Sequence, residues 1–462
     1  MASLASRPQK SQGDISAVFT SLRTDPTHAF PPRFAELKRK IWNKGLEQSW
    51  KEVLAELDVA TERIAVRGEA AIPQVTMDSI QNGLSTEEAS AIRDAGCVVV
   101  KGAVPKEEAI GWKRDIQKYV EMNRDKVKGF PADNIQVYEL YNTASQMRAR
   151  TNPNVLETQR VLLSLWHDHS GDVSLDTPIS YFDRLRIRFP GDTKFALGPH
   201  VDAGSIERWE DPEYRRCFRK ILEGGSAWRQ HDPYTATPRV HAKQDLYNAP
   251  NQCSIFRPWQ GWTALSSTGP GEGTLRVLPM LKLATAYWML RPFFRARHPA
   301  ASLEWHDWNE LDLDAPGFAG CGMGTGLELS DATHPHLRLA KTMISVPRVE
   351  PGDQVYWHCD MIHAVESHHG GKEDSSVMYI PAVPLTLDNA QYLRDQRSNF
   401  RAGLPAPDFP GGPGESTFMG RGTIDDVHEH PQSLQAVGFG KFAGGTASGD
   451  GLLAEADRIL DV

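Results

Sequence analysis

The first residues that could support chemistry are a histidine and a carboxylate two positions apart, His200 and Asp202, in the segment GPHVDAGSIERWE. Alternate residues of a β-strand face the same side of a sheet, so both side chains can point into one site. Imidazole and carboxylate groups are also good ligands for transition metals. A surface turn, or a histidine that is hydrogen-bonded in the core, would show the same spacing.

A second candidate segment, EPGDQVYWHCDMIHAVE, contains His358, Asp360 and His363. A turn at 351–353 precedes an apolar run, which predicts a strand that ends where these polar residues begin. A ligand so far along the chain from Asp202 must come from a different strand of the same barrel. Two histidines and one carboxylate form a facial triad, which suits mononuclear non-haem Fe(II) because it leaves three coordination positions open.

Three arginines alternate along the predicted strand DRLRIRF at 183–189. Arg184, Arg186 and Arg188 therefore face the same side of that strand. A row of three cations just upstream of the histidine–aspartate pair could bind an anionic substrate or co-substrate. The alternative is a solvated sheet face that is paired with acidic residues.

The elements that would position these residues are short strands separated by Gly and Pro turns. They are predicted at 183–189, 253–259, 261–267, 273–279, 341–347, 353–358 and 375–383. This pattern is typical of an all-β sandwich or barrel. Helical insertions are predicted at 210–224 and 281–294. We therefore expect a mainly β core with helical insertions, preceded by a helical N-terminal segment.

The N-terminal part has a different pattern. Helical spacing of apolar residues predicts a helix over 32–57. A second helix is expected to begin after Ser85, with Glu88 completing a capping box, and to end at Gly96. A buried strand at 97–105 and a helix at 107–120 follow.

These patterns divide the chain into four parts. Residues 1–30 are expected to be a flexible lead-in, and 31–180 a helical or α+β part packed on the barrel. Residues 181–388 would form the catalytic core with its helical insertions. Residues 389–462 are rich in Pro and Gly and are expected to be a C-terminal extension.

Composition narrows the class of protein. The chain has 462 residues, with 51 basic and 59 acidic residues and a pI near 6.1. This balance argues against a dedicated nucleic-acid binder or a basic membrane-surface protein, and favours a small-molecule partner. The five cysteines form no CxxC pair, which favours reduced thiols. No secretory signal or long apolar run is present, so we expect a cytoplasmic protein. The oligomeric state is not indicated.

Three segments occur in a recognisable order: HVD, WTALSSTGPGEGTLRVLP and PGDQVYWHCDMIHAVE. This order resembles the 2-oxoglutarate-dependent oxygenase superfamily, in particular its phytanoyl-CoA dioxygenase-like branch. The chain departs from that branch at Pro279, which Met280 follows instead of Gly-Ser-His. A more specific resemblance, from about Ile72 to the C-terminal region, is to the family catalogued as domain of unknown function 1479, which is regarded as oxygenase-like. The segments that carry it are DRLRIRFPGD, GPHVDAGSIERWED, FRPWQGWTALSSTGPGEGTLRVLP, WHCDMIHAVE and SSVMYIPAVPLT.

The resemblance implies a mainly β fold with α, namely a distorted double-stranded β-helix (a cupin-like jelly roll) with a helical N-terminal segment and helical insertions. It also implies His200, Asp202 and His363 as catalytic iron ligands. His358 is the competing choice for the last ligand, and could otherwise support the site from outside or contact the substrate.

The resemblance also implies Fe(II), 2-oxoglutarate and dioxygen as cofactor and co-substrates. A cation must then hold the distal carboxylate of 2-oxoglutarate, and an arginine fork suits it best. The stretch after His363 where the branch has this arginine offers only Lys372 here. Arg257 and Arg276, on predicted strands, are the alternatives.

The function implied is a dioxygenase that oxidises a C–H bond of a small polar metabolite, such as an amino acid or a related carboxylate, in specialised metabolism. The outcome would be hydroxylation, desaturation or oxidative ring closure. One alternative is a cupin-like isomerase or hydrolase that uses the same metal without 2-oxoglutarate. Another is a non-catalytic, metal-binding jelly roll.

Overall fold

The computed structural model describes residues 8–22, 29–193, 196–298, 302–443 and 451–462. In this part of the chain the α-helices are α1 (Arg33–Ile41), α2 (Gly45–Arg67), α3 (Met77–Asn82), α4 (Thr86–Ala95), α5 (Lys106–Met122), α6 (Ala144–Thr151), α7 (Pro153–Leu163), α8 (Glu207–Glu210), α9 (Pro212–Arg216), α10 (Arg219–Leu222), α11 (Leu281–Leu290), α12 (Leu339–Thr342), α13 (Leu387–Ala402), α14 (Pro431–Ala436) and α15 (Leu452–Leu460).

The strands in the same part are β1 (Gln74–Thr76), β2 (Cys97–Lys101), β3 (Gly129–Phe130), β4 (Val137–Tyr138), β5 (Val173–Ile179), β6 (Leu185–Arg188), β7 (His200–Val201), β8 (Trp259–Ala264), β9 (Leu275–Val277), β10 (Phe294–Arg295), β11 (Glu310–Leu311), β12 (Leu327–Glu328), β13 (Ile344–Ser345), β14 (Gln354–His358), β15 (His363–Val365), β16 (Ser375–Tyr379) and β17 (Val383–Thr386).

Two large sheets dominate this mixed α/β protein. One has eight strands in the order β1-β2-β14-β8-β16-β6-β4-β3, and the other has five in the order β12-β7-β15-β9-β13. All strand pairs in both sheets are antiparallel except β1 with β2. Strand β6, which carries the alternating arginines, lies beside β16, and Arg186 is directly opposite Val377.

Apolar burial joins the N-terminal helices to the rest of the molecule. Trp50 of α2 is fully buried, and its ring stacks on Tyr287 of α11 and on Phe294, with centroids 5.3 and 5.0 Å apart. Strand β2 adds directly to the large sheet beside β14. The C-terminal helices α13 and α15 pack on each other and share a buried cluster with Val383 of β17.

Several sequence predictions can be compared with these elements. Helix α4 has the predicted capping box, in which Glu88 N donates to Ser85 Oγ and Ser85 N donates to the Glu88 carboxylate, and Gly96 ends it at φ +77°. The predicted insertion at 281–294 contains α11, whereas 210–224 forms only the short α9 and α10. The strand predicted at 253–259 is wrong, because Pro258 has no N–H to donate and the chain stays irregular until Trp259.

No helix in the described ranges combines the length and the apolar character needed to cross a membrane.

Candidate metal centre

Two histidines and an aspartate converge where β7 meets β15. His200 Nε2 lies 3.5 Å from Asp202 Oδ1, and His363 Nε2 lies 3.6 Å from Asp202 Oδ2. The two imidazole centroids are 4.1 Å apart. One ligand atom from each residue lies within 4.8 Å of the others, so a single metal ion could be shared by all three.

The outer nitrogen of each imidazole faces a backbone carbonyl. His200 Nδ1 is 2.7 Å from Gly198 O, and His363 Nδ1 is 3.0 Å from Met361 O. A carbonyl can only accept, so Nδ1 carries a proton in both rings, and in the neutral tautomer the lone pair is then on Nε2. This is the arrangement by which metal-binding histidines are oriented and their tautomer is fixed.

The backbone after β7 turns sharply and directs the Asp202 carboxylate back toward the histidines. Ala203 has φ +63° and Gly204 has φ +79°. A Cβ on Gly204 would lie 2.4 Å from Gln244 O, so glycine is required there. Arg208 holds this turn, because its guanidinium donates to Asp202 O at 2.8 Å and to Gly204 O.

The carboxylate of Asp202 has its own supporting contacts. With the amide of Gln260 oriented to satisfy both neighbours, its nitrogen donates to Asp202 Oδ2 at 2.5 Å and its oxygen accepts from Trp357 Nε1 at 3.2 Å. Arg257 Nη2 lies 3.9 Å from Asp202 Oδ2. These groups fix the carboxylate without closing the side that faces the histidines.

Burial and charge set the protonation states of these groups. Burial, with the neighbouring His363, lowers the pKa of His200 to about 4. Burial alone would raise the pKa of Asp202, but His363, His200 and Arg257 together hold it below its usual range. At neutral pH the His200 imidazole is therefore neutral and the Asp202 carboxylate is charged, as metal binding requires.

A cavity of about 120 Å³ opens beside these three residues. Its apolar lining includes Leu197, Leu275 and Val365, which come from the five-stranded sheet or its edge, and Trp262 from the eight-stranded sheet. The volume is enough for several water molecules or a small organic molecule next to the metal position.

Three of the predicted cations line this cavity, namely Arg184, Arg186 and Arg257. Arg184 is paired with Asp183 through its Nε at 3.2 Å, and Arg257 Nη1 is 3.6 Å from the same aspartate. The hydrogen-bond partners of Arg186 are neutral, namely Gly273 O at 3.3 Å and Ser375 Oγ at 3.4 Å, and its buried Nε has no partner among the described residues.

The structure does not bring the other predicted cations to the cavity. Arg188 is buried against Asp192 at 2.9 Å and donates to Glu366 O. Arg276 donates twice to Met343 O, and Lys372 is exposed.

His358 is also outside the cavity. Its ring stacks on Trp166 with a centroid distance of 4.7 Å. Its Nε2 faces Pro233 O at 3.1 Å and its Nδ1 accepts from Asp360 N at 3.0 Å, so both ring nitrogens are satisfied. Asp360 is paired with Arg239. His358, Cys359 and Asp360 are close enough to form a second metal-like cluster, but these contacts already occupy its imidazole and its carboxylate.

Four cavity residues, Gln260, Trp357, Tyr379 and Asn251, were missed by sequence reasoning. Gln260, Trp357 and Tyr379 lie in or at the edge of predicted strands, so alternation could have placed them on one face. Only the register between strands shows that this face is the one that meets Asp202.

Comparison with known proteins identifies the family of this chain. The chain belongs to the Gig2-like family, whose model matches residues 28–439. The crystal structure of GlcNAc Inducible Gene 2, GIG2 (DUF1479), from Candida albicans superposes with a TM-score of 0.82 at 31% identity, covering 95% of each chain. This confirms the resemblance to the family of domain of unknown function 1479.

Two further matches come from Escherichia coli. YbiU of Escherichia coli strain K12 is 34% identical over 392 residues, which is 81% of this chain and 88% of that protein. The structure of protein JW0805 from Escherichia coli has a TM-score of 0.76 at 30% identity, covering 89% of this chain and 99% of the other.

Proposed function

We propose that this protein is a mononuclear non-haem Fe(II) oxygenase that uses 2-oxoglutarate to oxidise a C–H bond of a small polar metabolite. The observation that carries the proposal is the convergence of His200, Asp202 and His363, with both imidazole Nδ1 atoms held by backbone carbonyls. On this proposal the two large sheets are the two halves of a distorted double-stranded β-helix, with the metal between them.

The donor set fits iron. Two neutral imidazoles and one carboxylate occupy one side of the metal position, and the other side faces the cavity. A 2-His-1-carboxylate set with open positions suits non-haem Fe(II), whereas a structural zinc site would be closed by a fourth protein ligand. Cysteine, which would favour softer metals, contributes no ligand to this group.

Arg186 is the best-placed anchor for the distal carboxylate of 2-oxoglutarate. Its guanidinium is buried and its recorded hydrogen bonds go to neutral groups, while Glu366 and Asp192 act on it electrostatically. A buried cation is costly unless it is paired, and a bound carboxylate would supply the pair. Tyr379, one strand away on β16, lines the same cavity and interacts electrostatically with Arg186. Arg257 is already shared between Asp183 and Asp202.

The chemistry supplied by bound Fe(II), 2-oxoglutarate and dioxygen would be the two-electron oxidation of a substrate C–H bond. The chain's own residues would bind the metal, orient its ligands and shield the cavity from water. Gln260 and Arg257 keep the Asp202 carboxylate charged and oriented, and the carbonyls at Gly198 and Met361 keep both Nε2 atoms free of protons. Trp262 and Leu275 exclude water from one side of the cavity.

An anaerobic titration with Fe(II) and then 2-oxoglutarate tests this function. We expect a weak visible charge-transfer band that needs both additions, followed by succinate formation in air. Iron binding without the band, and without succinate, would instead support a metal enzyme of another kind. Failure to bind iron would overturn the ligand assignment.

A further inference from the structure

Residues 8–22, here called the N-terminal strap, cover the cavity. Ile15, Val18 and Phe19 contribute apolar lining. The ring of Phe19 meets the ring of His200 edge-on, with centroids 4.8 Å apart. His200 and His363 are only 2% and 4% exposed, and the strap contributes to this burial through Phe19.

Polar groups hold the strap in place. Lys10 Nζ is buried and contacts Asp245 at 2.5 Å, Asp408 at 3.4 Å, and the carbonyls of Ala249 and Gln252 at 2.8 and 2.7 Å. Further along, Gly326 N donates to Val18 O at 2.8 Å. Opening the strap would expose the small apolar cluster of Ile15, Val18, Phe19 and Leu197 and would break the Lys10 ion pairs.

The wall that faces the strap is polar and positively charged. Asn251 Nδ2 donates to Gly13 O on the strap at 2.8 Å, while its Oδ1 accepts from Arg184 Nη1 at 3.2 Å. Gln252 Oε1 is buried without a hydrogen-bond partner among the described residues. The cavity therefore has an apolar roof and, opposite it, a wall with an arginine and an unused acceptor.

The charges around the cavity do not cancel. Three arginines and two aspartates line it within the described ranges. A divalent metal and a doubly charged co-substrate would cancel each other, which leaves one positive charge. Among the acidic residues outside the lining, Glu139 interacts electrostatically with Arg184. The lining itself keeps a net positive charge, which favours an anionic group on the substrate.

We propose that the substrate is a small organic anion with an apolar body, held between Arg184 and the apolar face of the N-terminal strap, which closes over it. Its carboxylate or equivalent anion meets Arg184, its apolar part packs under Ile15, Val18 and Phe19, and a donor group can reach Gln252 Oε1. Naming this molecule the substrate rests on the proposed function, whereas its binding does not require turnover.

The test uses the full chain, kept anaerobic, with and without Fe(II) and 2-oxoglutarate. Three probes are compared by calorimetry: propionate, hexanoate and hexan-1-ol. We expect hexanoate to bind more tightly than propionate, by about fourfold for each methylene that the strap covers. We expect hexanol to bind at least about tenfold more weakly than hexanoate. This difference in affinity corresponds to the loss of about one charge-assisted hydrogen bond.

Trypsin reports on the strap itself, because the bond after Lys10 is accessible only when the strap is open. We expect hexanoate to slow cleavage at Lys10 at least tenfold, and hexanol to change it by less than twofold. Arg184→Gln should remove the preference for hexanoate over hexanol. Phe19→Ala should remove the dependence on chain length, and Phe418→Ala, a partly buried aromatic residue outside the cavity lining, serves as the matched control.

Equal binding of hexanoate and hexanol, or unchanged cleavage at Lys10 with hexanoate bound, would overturn the proposal. Phe19 lies on the strap rather than in a sheet, so we expect the Phe19→Ala variant to fold. It therefore tests the proposed subsite even if the Arg184→Gln variant does not fold. If the charge-transfer band never forms but hexanoate still protects Lys10, the proposed function fails and the anion subsite stands. If the band forms and the probes show no preference, only the subsite fails.

Discussion

His363 lies directly opposite His200 in the antiparallel pair of β7 and β15, and both imidazoles leave the sheet on the same side. The distance between the two Nε2 atoms is therefore set by strand register and not by a flexible loop. A slip of one residue in either strand would turn one imidazole to the opposite face. Asp202, two residues after His200, completes the group through the turn at Ala203.

The two candidate histidines of the second segment should give opposite results when replaced. His363→Ala should weaken Fe(II) or Co(II) binding by more than about a hundredfold. Residues that only hydrogen-bond to a metal ligand already change metal affinity by about 10- to 100-fold, and His363 would be a ligand itself. His358→Ala should leave metal affinity within about threefold, with reduced turnover and a loss of roughly 3 kcal/mol in the free energy of unfolding. Metal titration and urea denaturation measure the two effects. Equal metal affinity in His363→Ala and wild type would contradict the ligand assignment.

Gln260 should control metal affinity without touching the metal. Gln260→Leu removes the donor to Asp202 Oδ2 and the acceptor for Trp357, so we expect metal binding to weaken by about 10- to 100-fold. Gln354→Leu is the matched control, because Gln354 is a buried glutamine on neighbouring β14 that bonds Thr263 instead. If both variants lose metal affinity to the same extent, the loss comes from a general disturbance of the eight-stranded sheet and not from the contact with the Asp202 carboxylate.

The cations that line the cavity can be separated from those that do not by the affinity for 2-oxoglutarate. Arg186→Met should raise its dissociation constant by roughly 10- to 100-fold, the value of a charge-assisted hydrogen bond, with metal affinity unchanged. Arg276→Met and Lys372→Met should leave it unchanged, because neither side chain lines the cavity. Anaerobic titration of the iron-loaded variants gives all three constants. A normal constant for Arg186→Met would remove it as the anchor.

Acid should destabilise the fold through its buried histidines. Burial, with Arg291 nearby, lowers the pKa of His336 to about 3, against 6.5 in the unfolded chain. Between these values the unfolded chain holds a proton that the folded chain does not, so stability falls as pH drops below 6.5. From pH 7 to pH 5 this group costs about 2 kcal/mol.

The check is urea unfolding at both pH values in wild type and His336→Asn, which keeps an acceptor for the Tyr287 hydroxyl. We expect the variant to lose about 2 kcal/mol less than wild type on acidification. The same loss in both proteins would mean that His336 is protonated in the folded state.

Sequence spacing was sufficient for the elements that depend on local chemistry. The cap at Ser85 and Glu88 needs only residues within one helical turn, and the structure contains it. The alternation of Arg184, Arg186 and Arg188 correctly predicted a strand. Which of these three arginines has no hydrogen bond to a carboxylate could not be predicted, because most of their partners come from other parts of the chain.

The supporting residues of the site were beyond sequence reasoning for the same reason. Gln260 meets Asp202 only because β8 and β14 align Gln260 with Trp357. Phe19 lies in a polar, Ser-rich stretch that predicted a loose lead-in, and nothing local indicates its contact with His200. Such contacts depend on sheet register and on chain segments far apart in sequence.

The contact between Lys10 and Asp408 has a consequence for how the molecule is made. These residues are separated by almost 400 positions, and Tyr181, Asn251 and Ser254 also bond to Asp408 or its backbone. During synthesis the strap leaves the ribosome almost 400 residues before Asp408 does. A growing chain that has not reached Asp408 therefore lacks one of the two carboxylates that hold Lys10, and the strap cannot yet make all of its contacts.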